Sequence, residues 1–299
     1  MLTKTAWNFY FSLFIVFLSI QSILTIQCYE CRNCTDIQSC TCTNIYETNR
    51  TDVHCILLRD TLSNGVYLEI EHRVNTFSDY HIYHTHYVSV EERIAYSATT
   101  QTWSSVSHEF VYGCQTDLCN HAELLKKLPS NGLSLMLPSE WLELNLQRKP
   151  PQNRTVCRGC PDEEICANSS AALNASLCPQ QECQGSCFVA EVFKNAESAQ
   201  LCYASLCSDD TTFGPVERLP EVNITAFYYI EQDRFDIVEI DLACNADQCD
   251  TLDLFVDIQS KLSKNLDNIK PLLGHMNSIY STSIFFLMMI LSLQMLLLY

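Results

Sequence analysis

Two short segments bracket the first cysteine-rich part of the chain: Ile26–Cys31 has the sequence IQCYEC, and Gly113–Asn120 has the sequence GCQTDLCN. The whole chain has 299 residues and contains 18 cysteines. Cytosolic proteins rarely carry so many cysteines outside metal sites, because disulfides persist only in oxidising compartments. Cysteine usage therefore predicts a protein of the secretory pathway.

The cysteines fall into two blocks that share their spacing. Eight lie in residues 28–119 and ten lie in residues 157–249, with none in the 37 residues between. In both blocks the second cysteine follows the first by three residues. A closing C-x-x-x-x-C then begins 86 residues after the first cysteine of one block and 87 residues after that of the other. An internal duplication explains this agreement better than coincidence.

Both blocks alternate in the manner of β-strands. In VYLEIEHRV (66–74) the apolar residues share one face, and ITAFYYI and FDIVEIDL in the second block are rich in β-branched and aromatic residues. We predict a mainly β fold with two tandem disulfide-rich domains over residues 26–120 and 157–250. Residues 121–156 form a linker, in which HAELLKKL and SEWLELNL predict short helices.

The N-terminus has the order of a secretory signal peptide. Met1–Lys4 carries positive charge, Ala6–Ile20 is apolar, and Thr25 is the candidate cleavage residue. We therefore predict a signal peptide over residues 1–25, in agreement with the oxidising compartment that the cysteines indicate.

The C-terminus ends in an apolar tail over residues 284–299, and no charged residue follows it. Small and polar residues precede the tail in a stalk over residues 251–283, an order typical of a glycosylphosphatidylinositol (GPI) attachment signal. We predict lipid attachment at Asn277, with Ser281 as the alternative. The competing interpretation is a retained transmembrane helix, which is disfavoured because retained spans are usually followed by Lys or Arg.

Charge and motif content exclude several functions. The formal net charge of −17 argues against a nucleic-acid partner, which would need a basic surface. The sequence contains no G-x-S-x-G, no H-E-x-x-H and no glycine-rich phosphate loop. We therefore expect no enzyme activity and no cofactor.

Metal binding is the alternative use of the cysteines and of one histidine cluster. The C-x-x-C pairs could hold zinc, but a signal peptide and an even number of cysteines in each block favour disulfides. Of His81, His84 and His86, the last two would share a strand face and could share a metal, yet the sequence offers no third ligand with them. We expect an exposed polar strand there.

IQCYEC and GCQTDLCN resemble the opening and closing signatures of the Ly-six/urokinase-receptor (uPAR) family of three-finger domains. The resemblance implies a small disulfide hub from which three β-stranded fingers project, and a GPI-anchored binding protein, receptor or receptor modulator. The first block departs from the family where Gly113 replaces a usual cysteine, and the early spacing of the second block marks it as a divergent copy.

The resemblance also implies a set of disulfides, although the sequence alone permits many connectivities. For the first block the pairs are Cys28–Cys42, Cys31–Cys34, Cys40–Cys55 and Cys114–Cys119. For the second block, whose early spacing departs from the family, we predict the pairs Cys157–Cys183, Cys160–Cys166, Cys178–Cys187, Cys202–Cys207 and Cys244–Cys249. All 18 cysteines would then be oxidised.

Six N-x-S/T sequons lie between the two hydrophobic ends, which fits the glycosylating side of the membrane. The sequon at Asn33 is the weakest, because its central residue is Cys34. We expect N-linked glycans at Asn49, Asn153, Asn168, Asn174 and Asn223.

Three functional hypotheses remain. The first is a GPI-anchored cell-surface protein on the outer leaflet of the plasma membrane that binds an extracellular protein ligand through its finger loops, without catalysis. The second is a receptor or adhesion protein held by a single transmembrane helix, and the third is an extracellular metal-dependent enzyme. The missing basic flank of the tail separates the first from the second, and the missing catalytic motifs disfavour the third.

Overall fold

The chain is mainly β and heavily disulfide-bonded in a computed structural model that describes residues 25–34, 40, 42–62, 65–74, 86–127, 133–147, 155–160, 164–183, 185–195, 200–207, 219–246, 249–265 and 269. The predicted signal peptide up to residue 24, the apolar tail, Asn153, and both candidate attachment residues, Asn277 and Ser281, lie outside these ranges.

Strands account for most of the described residues. Those of the N-terminal half are β1 (Ile26–Cys34), β2 (Asn44–Thr48), β3 (Val53–Leu62), β4 (Gly65–Val74), β5 (His86–Ser97) and β6 (Thr102–Cys114). Those of the C-terminal half are β8 (Thr155–Arg158), β9 (Glu164–Ala167), β10 (Gln180–Cys183), β11 (Cys187–Asn195), β12 (Gln200–Cys207), β13 (Glu221–Tyr229) and β14 (Arg234–Cys244). The remaining elements are β7 (Ser134–Met136), β15 (Ser263–Asn265), α1 (Ala122–Lys127), α2 (Ser139–Leu146) and α3 (Leu252–Lys261).

The alternation seen in the sequence is confirmed in β4. Leu68 and Ile70 are buried on one face of this strand, whereas Val66 near its start is 47 % exposed. Successive side chains of a strand point to opposite faces, so a period of two is what a sheet with one buried face requires.

One antiparallel sheet of eleven strands contains most of the chain, in the order β2-β1-β4-β3-β6-β5-β13-β14-β11-β12-β9. The N-terminal half contributes β2-β1-β4-β3-β6-β5, and the C-terminal half contributes β13-β14-β11-β12-β9. Apart from β2, the strands of the two halves follow one another in the same chain order, read in opposite directions across the sheet. Equal strand orders support the internal duplication that the cysteine spacing indicates.

The two halves meet at the seam, by which we mean the antiparallel pair of β5 and β13. Its register extends from Tyr87 opposite Tyr229 to Ala95 opposite Glu221. Each half would otherwise leave a long edge strand with unpaired backbone groups, and the seam satisfies both edges at once. The sheet is therefore continuous from one half to the other.

All 18 cysteines form disulfides, and each disulfide lies within one half. The pairs of the first half are Cys28–Cys55, Cys31–Cys42, Cys34–Cys40 and Cys114–Cys119. The pairs of the second half are Cys157–Cys187, Cys160–Cys178, Cys166–Cys202, Cys183–Cys207 and Cys244–Cys249.

The two closing pairs agree with the predicted ones, and the other seven predicted pairings are wrong. The seven are Cys28–Cys42, Cys31–Cys34, Cys40–Cys55, Cys157–Cys183, Cys160–Cys166, Cys178–Cys187 and Cys202–Cys207.

Strand geometry explains part of this disagreement. Cys31 and Cys34 both lie on β1, and Cys202 and Cys207 both lie on β12. A strand rises about 3.3 Å per residue, so two residues that are three apart on a strand are separated by about 10 Å. This distance exceeds the Cα–Cα separation of about 4.4–6.8 Å that a disulfide allows. Cys202 instead bonds to Cys166, which lies directly opposite it on β9.

The duplication accounts for two further disulfides, one in each half. Cys55 and Cys187 each lie opposite the first cysteine of the closing C-x-x-x-x-C, on β3 and β11 respectively. Each is bonded to the first cysteine of its block, Cys28 or Cys157. These two equivalent disulfides fasten the first strand of each half to its central strand, which leaves the remaining cysteines to pair among themselves.

Asn120, the residue after the closing cysteine pair, ties three strands together. It is fully buried, and its Nδ2 donates hydrogen bonds to the carbonyl oxygens of Tyr29, Ile56 and Glu71 at 3.0, 3.2 and 3.1 Å. Its Oδ1 accepts a hydrogen bond from the Tyr29 amide at 2.9 Å. One side-chain amide thus satisfies backbone groups of β1, β3 and β4, which a carboxylate or an apolar side chain could not do.

Asp250 holds the equivalent place in the C-terminal half. Its Oδ2 accepts a hydrogen bond from the Arg158 amide, as Asn120 does from Tyr29. A carboxylate has no donor for the Arg158 carbonyl, and the hydroxyl of Ser205 donates to that carbonyl instead at 2.8 Å. Burial raises the pKa of Asp250.

The predicted linker helices are confirmed as α1 and α2, and residues 133–147 of the linker pack against α3 and β15. Trp141 on α2 donates its Nε1 hydrogen to Asp257 on α3 at 2.5 Å, and β7 pairs with β15. Leu142 and Leu146 of α2 and Phe255 of α3 are buried. The predicted stalk therefore begins with a helix, α3, that has buried apolar side chains. Among the described residues, no helix has both the length and the apolar character needed to cross a bilayer.

Candidate binding face

One face of the sheet carries a row of acidic side chains that crosses the seam. Asp60 lies opposite Glu109, and Glu109 lies opposite Glu91. Glu91 lies opposite Thr225 across the seam, and Thr225 lies opposite Glu239. Residues directly opposite each other on neighbouring strands share a face, so these five side chains, four carboxylates and one threonine, form one line. We call this line the acidic row.

The acidic row belongs to both halves of the chain. Neighbouring strands lie about 4.8 Å apart, so the five strands β3, β6, β5, β13 and β14 spread the row over about 19 Å. Glu91 at its centre is exposed, and the other four side chains are half-buried. The row is a product of the register, since its members come from distant parts of the sequence.

A second set of polar residues flanks the row on the same face. Arg93 lies opposite Asn223, and Asn223 lies opposite Asp241. Arg93 forms a salt bridge with Glu221 at 2.5 Å, so its charge is already compensated. Asn223 donates from Nδ2 to the Glu91 carboxylate at 3.0 Å. This region of the sheet therefore holds an excess of negative charge.

Burial and mutual repulsion disfavour the ionised forms of these carboxylates. Burial raises the pKa of Glu109 and of Glu239, and the nearby charge of Glu91 raises both further. The pKa of Asp241 is raised to about 7, first by burial and then by Glu239, Glu91 and Glu221. A positively charged partner would relieve this repulsion, because it would favour the ionised forms.

The spread of the row fits an extended partner better than a single ion. Within the described ranges, the groups of three potential ligand atoms that lie within 4.8 Å of one another are all built on disulfide cysteines. A hard cation requires six or more oxygen ligands at about 2.0–2.6 Å around one point. Carboxylates in a line about 19 Å long instead suit a surface with several separated cations.

Within the described residues, His86 belongs to no group of three potential metal ligands. His86 is buried, and its Nδ1 lies 3.0 Å from the hydroxyl of Tyr112. Burial lowers the pKa of His86. His81 and His84 lie outside the described residues. The expectation of an exposed polar strand is therefore wrong at His86, because this side chain faces the core.

A serine, a glutamate and a histidine meet on the opposite face of the sheet, a grouping that the sequence did not reveal. Ser105 donates its hydroxyl hydrogen to Glu92, and His108 Nδ1 lies 2.7 Å from the other oxygen of that carboxylate. A catalytic triad needs the hydroxyl to contact the histidine, which would remove its proton. Ser105 and His108 both contact Glu92 here, which is not the order of contacts in a catalytic triad.

The described sequons differ in their surroundings. Asn49, Asn168 and Asn174 are exposed and lie outside the strands. Asn223 lies within β13, half-buried beside the acidic row. A glycan on Asn223 would therefore project from the candidate binding face itself, whereas glycans on the other three would not.

No family model, curated protein or solved structure matches this chain. The fold and the site therefore define its class: a mainly β, disulfide-stapled protein whose two halves share one sheet and one acidic face.

Proposed function

We propose that this chain is an extracellular binding protein of the three-finger (Ly-six/uPAR) type, held at the cell surface by a GPI anchor, that binds a basic protein surface without catalysis. The opening and closing cysteine signatures, the N-terminal apolar segment and the C-terminal tail support this proposal. The nine disulfides are consistent with an oxidising compartment.

The acidic row is the observation that carries the choice of ligand. Charge complementarity mainly sets association rate and specificity, and it acts over about 8 Å at physiological salt. The row is longer than this distance, so a ligand must contact it along its length to use every charge. A protein surface with several Lys or Arg residues meets this requirement.

Both halves are needed to present the row. Asp60, Glu109 and Glu91 come from the N-terminal half, and Glu239 comes from the C-terminal half. A single half would offer a shorter row and an unpaired strand at its end. The proposal therefore explains why the duplicated halves share one sheet.

The test compares two charge-neutralising variants of the full chain on cells. Glu91→Gln with Glu239→Gln removes two charges from the row. Glu47→Gln with Glu140→Gln removes two exposed charges from β2 and α2 and serves as the control. Exposed ion pairs contribute about 0.2–1 kcal/mol each, so the first variant should bind a basic ligand about 2- to 30-fold more weakly.

The ligand is first captured from native membranes by the ectodomain and identified, and its affinity for each variant is then measured at two salt concentrations. We expect the control to bind like the wild type and the row variant to lose both affinity and salt dependence. Equal binding by both variants would contradict the role of the row.

The anchor is tested separately. A phospholipase specific for phosphatidylinositol should release the protein from cells that express the full chain. Retention at the surface would support the single-pass receptor instead, and the role of the acidic row would be unaffected.

A further inference from the structure

The eleven-stranded sheet is open, and within the described part of the chain its two edge strands are β2 and β9. An edge strand presents unpaired backbone N–H and C=O groups, which can pair with an edge strand of another copy. Soluble β proteins therefore protect their edge strands against such pairing.

Neither edge strand contains the Lys or Pro that often protects an edge. β2 has the sequence NIYET and β9 has the sequence EICA, so short length and one Glu in each strand are the protection that the sequence provides. Ile45 on β2 is 52 % exposed, which adds an apolar side chain to an unpaired edge. Such an edge is prone to association unless something covers it.

A sequon directly follows each edge strand. β2 ends at Thr48 and Asn49 comes next; β9 ends at Ala167 and Asn168 comes next. Both asparagines are exposed. The two sequons thus stand at corresponding places on opposite edges of the sheet.

We propose that N-linked glycans on Asn49 and Asn168 cover the two edges of the sheet and prevent pairing with a second copy of this chain. N-linked glycans are bulky and strongly hydrated, so they exclude a neighbouring strand from the backbone beside them. The inference depends on the secretory location in the proposed function, because only that location exposes the chain to the glycosylating enzymes.

The other described sequons have different positions. Asn223 lies in β13, an interior strand, so a glycan on it would not cover an edge of the sheet. Asn174 is exposed but precedes a one-turn 3-10 helix, and its Oδ1 accepts hydrogen bonds from the amide and hydroxyl of Ser176. Asn174 is therefore the matched control, since removing its glycan uncovers neither edge strand.

The number of uncovered edges predicts the size of the assembly. With only β2 uncovered, two copies can pair β2 with β2 around a two-fold axis, which closes at a dimer. With β2 and β9 both uncovered, each copy has two free edges and chains of copies can grow. Covered edges should leave the protein monomeric.

The experiment uses the full chain, expressed with two different epitope tags in cells that glycosylate. Glycopeptide mass spectrometry measures the occupancy of each sequon, and chemical crosslinking on intact cells measures assembly. We expect Asn49→Gln to give a species of about twice the monomer mass, and Asn49→Gln with Asn168→Gln to give larger species. Asn174→Gln should stay monomeric.

Further variants exclude misfolding as the cause. Thr51→Ala and Ser170→Ala remove the same two sequons without changing the asparagines, and they should give the same assemblies. Ile45→Lys in the Asn49→Gln background should restore the monomer, because a charge on the edge opposes pairing. Enzymatic removal of glycans from folded wild-type protein should also cause association.

Several results would overturn the inference. A monomeric double variant would show that the edges need no glycan, and empty sites at Asn49 and Asn168 beside an occupied Asn174 would remove its premise. If no sequon were occupied, the secretory location in the proposed function would fail as well, and the two failures are therefore distinguishable.

Discussion

Replacing Asn120 with Asp should unfold or strongly destabilise the protein. The change keeps the oxygen that accepts from the Tyr29 amide but removes the NH2 group, whose two hydrogens are shared among the carbonyl oxygens of Tyr29, Ile56 and Glu71. Leaving a buried polar group without its partner costs about 1–3 kcal/mol, so the loss of two donor hydrogens costs about 2–6 kcal/mol. Typical domains are stable by about 5–15 kcal/mol.

The reverse change in the other half should be harmless. Asp250→Asn keeps an oxygen acceptor for the Arg158 amide, and Ser205 already donates to the Arg158 carbonyl. The change also removes a carboxyl whose pKa is raised by burial, so we expect stability to stay the same or to rise by about 1 kcal/mol.

The assay is urea unfolding of the ectodomain with its disulfides intact, followed by tryptophan fluorescence. The amount of each variant at the cell surface is the second measurement, because Asn120→Asp could fail to be secreted. Equal shifts of the unfolding midpoint for the two variants would refute the reasoning, since only Asn120→Asp removes donors that backbone carbonyl oxygens need.

Four further predictions concern stability and chemistry. The pKa of Asp241 is raised from 3.8 to about 7 in the folded state, so the folded chain binds more protons than the unfolded one between these values. Stability should therefore fall as pH rises from about 4 to about 7, and Asp241→Asn should flatten that dependence in pH-dependent melts. Glu91→Gln should lower the pKa of Asp241, measured by NMR titration, because it removes a repelling charge. Replacing both Cys114 and Cys119 with Ser should cost about 2 kcal/mol in urea unfolding, as expected for a loop closed over five residues; an unchanged midpoint would contradict this. Alkylation without reduction should add no mass to the wild type, and any labelled thiol would contradict the pairing of all 18 cysteines.

Local patterns were enough to predict several elements. The alternation of VYLEIEHRV became β4, and SEWLELNL became α2. The resemblance of GCQTDLCN to the family's closing signature implied the disulfide Cys114–Cys119, which the structure contains. These features depend on residues close together in the chain, whose geometry is set by strand or helix periodicity and by a short loop.

The remaining disulfides could not be predicted in this way. Cys166 and Cys202 are 36 residues apart in sequence, and they meet because β9 pairs with β12 in one register. A shift of one residue would turn one of these side chains to the other face of the sheet. The predicted pairings took no account of this register, and seven of them were wrong.

The sequence by itself determined a mainly β chain with two similar cysteine blocks, short linker helices and an excess of negative charge, because composition, spacing and periodicity are local properties. Only the tertiary structure decided that the halves share one sheet, that α3 packs on the linker, and that four carboxylates line up across the seam. The physical reason is that strand pairing brings together side chains according to register, and the register of distant strands is set by the packing of the whole sheet.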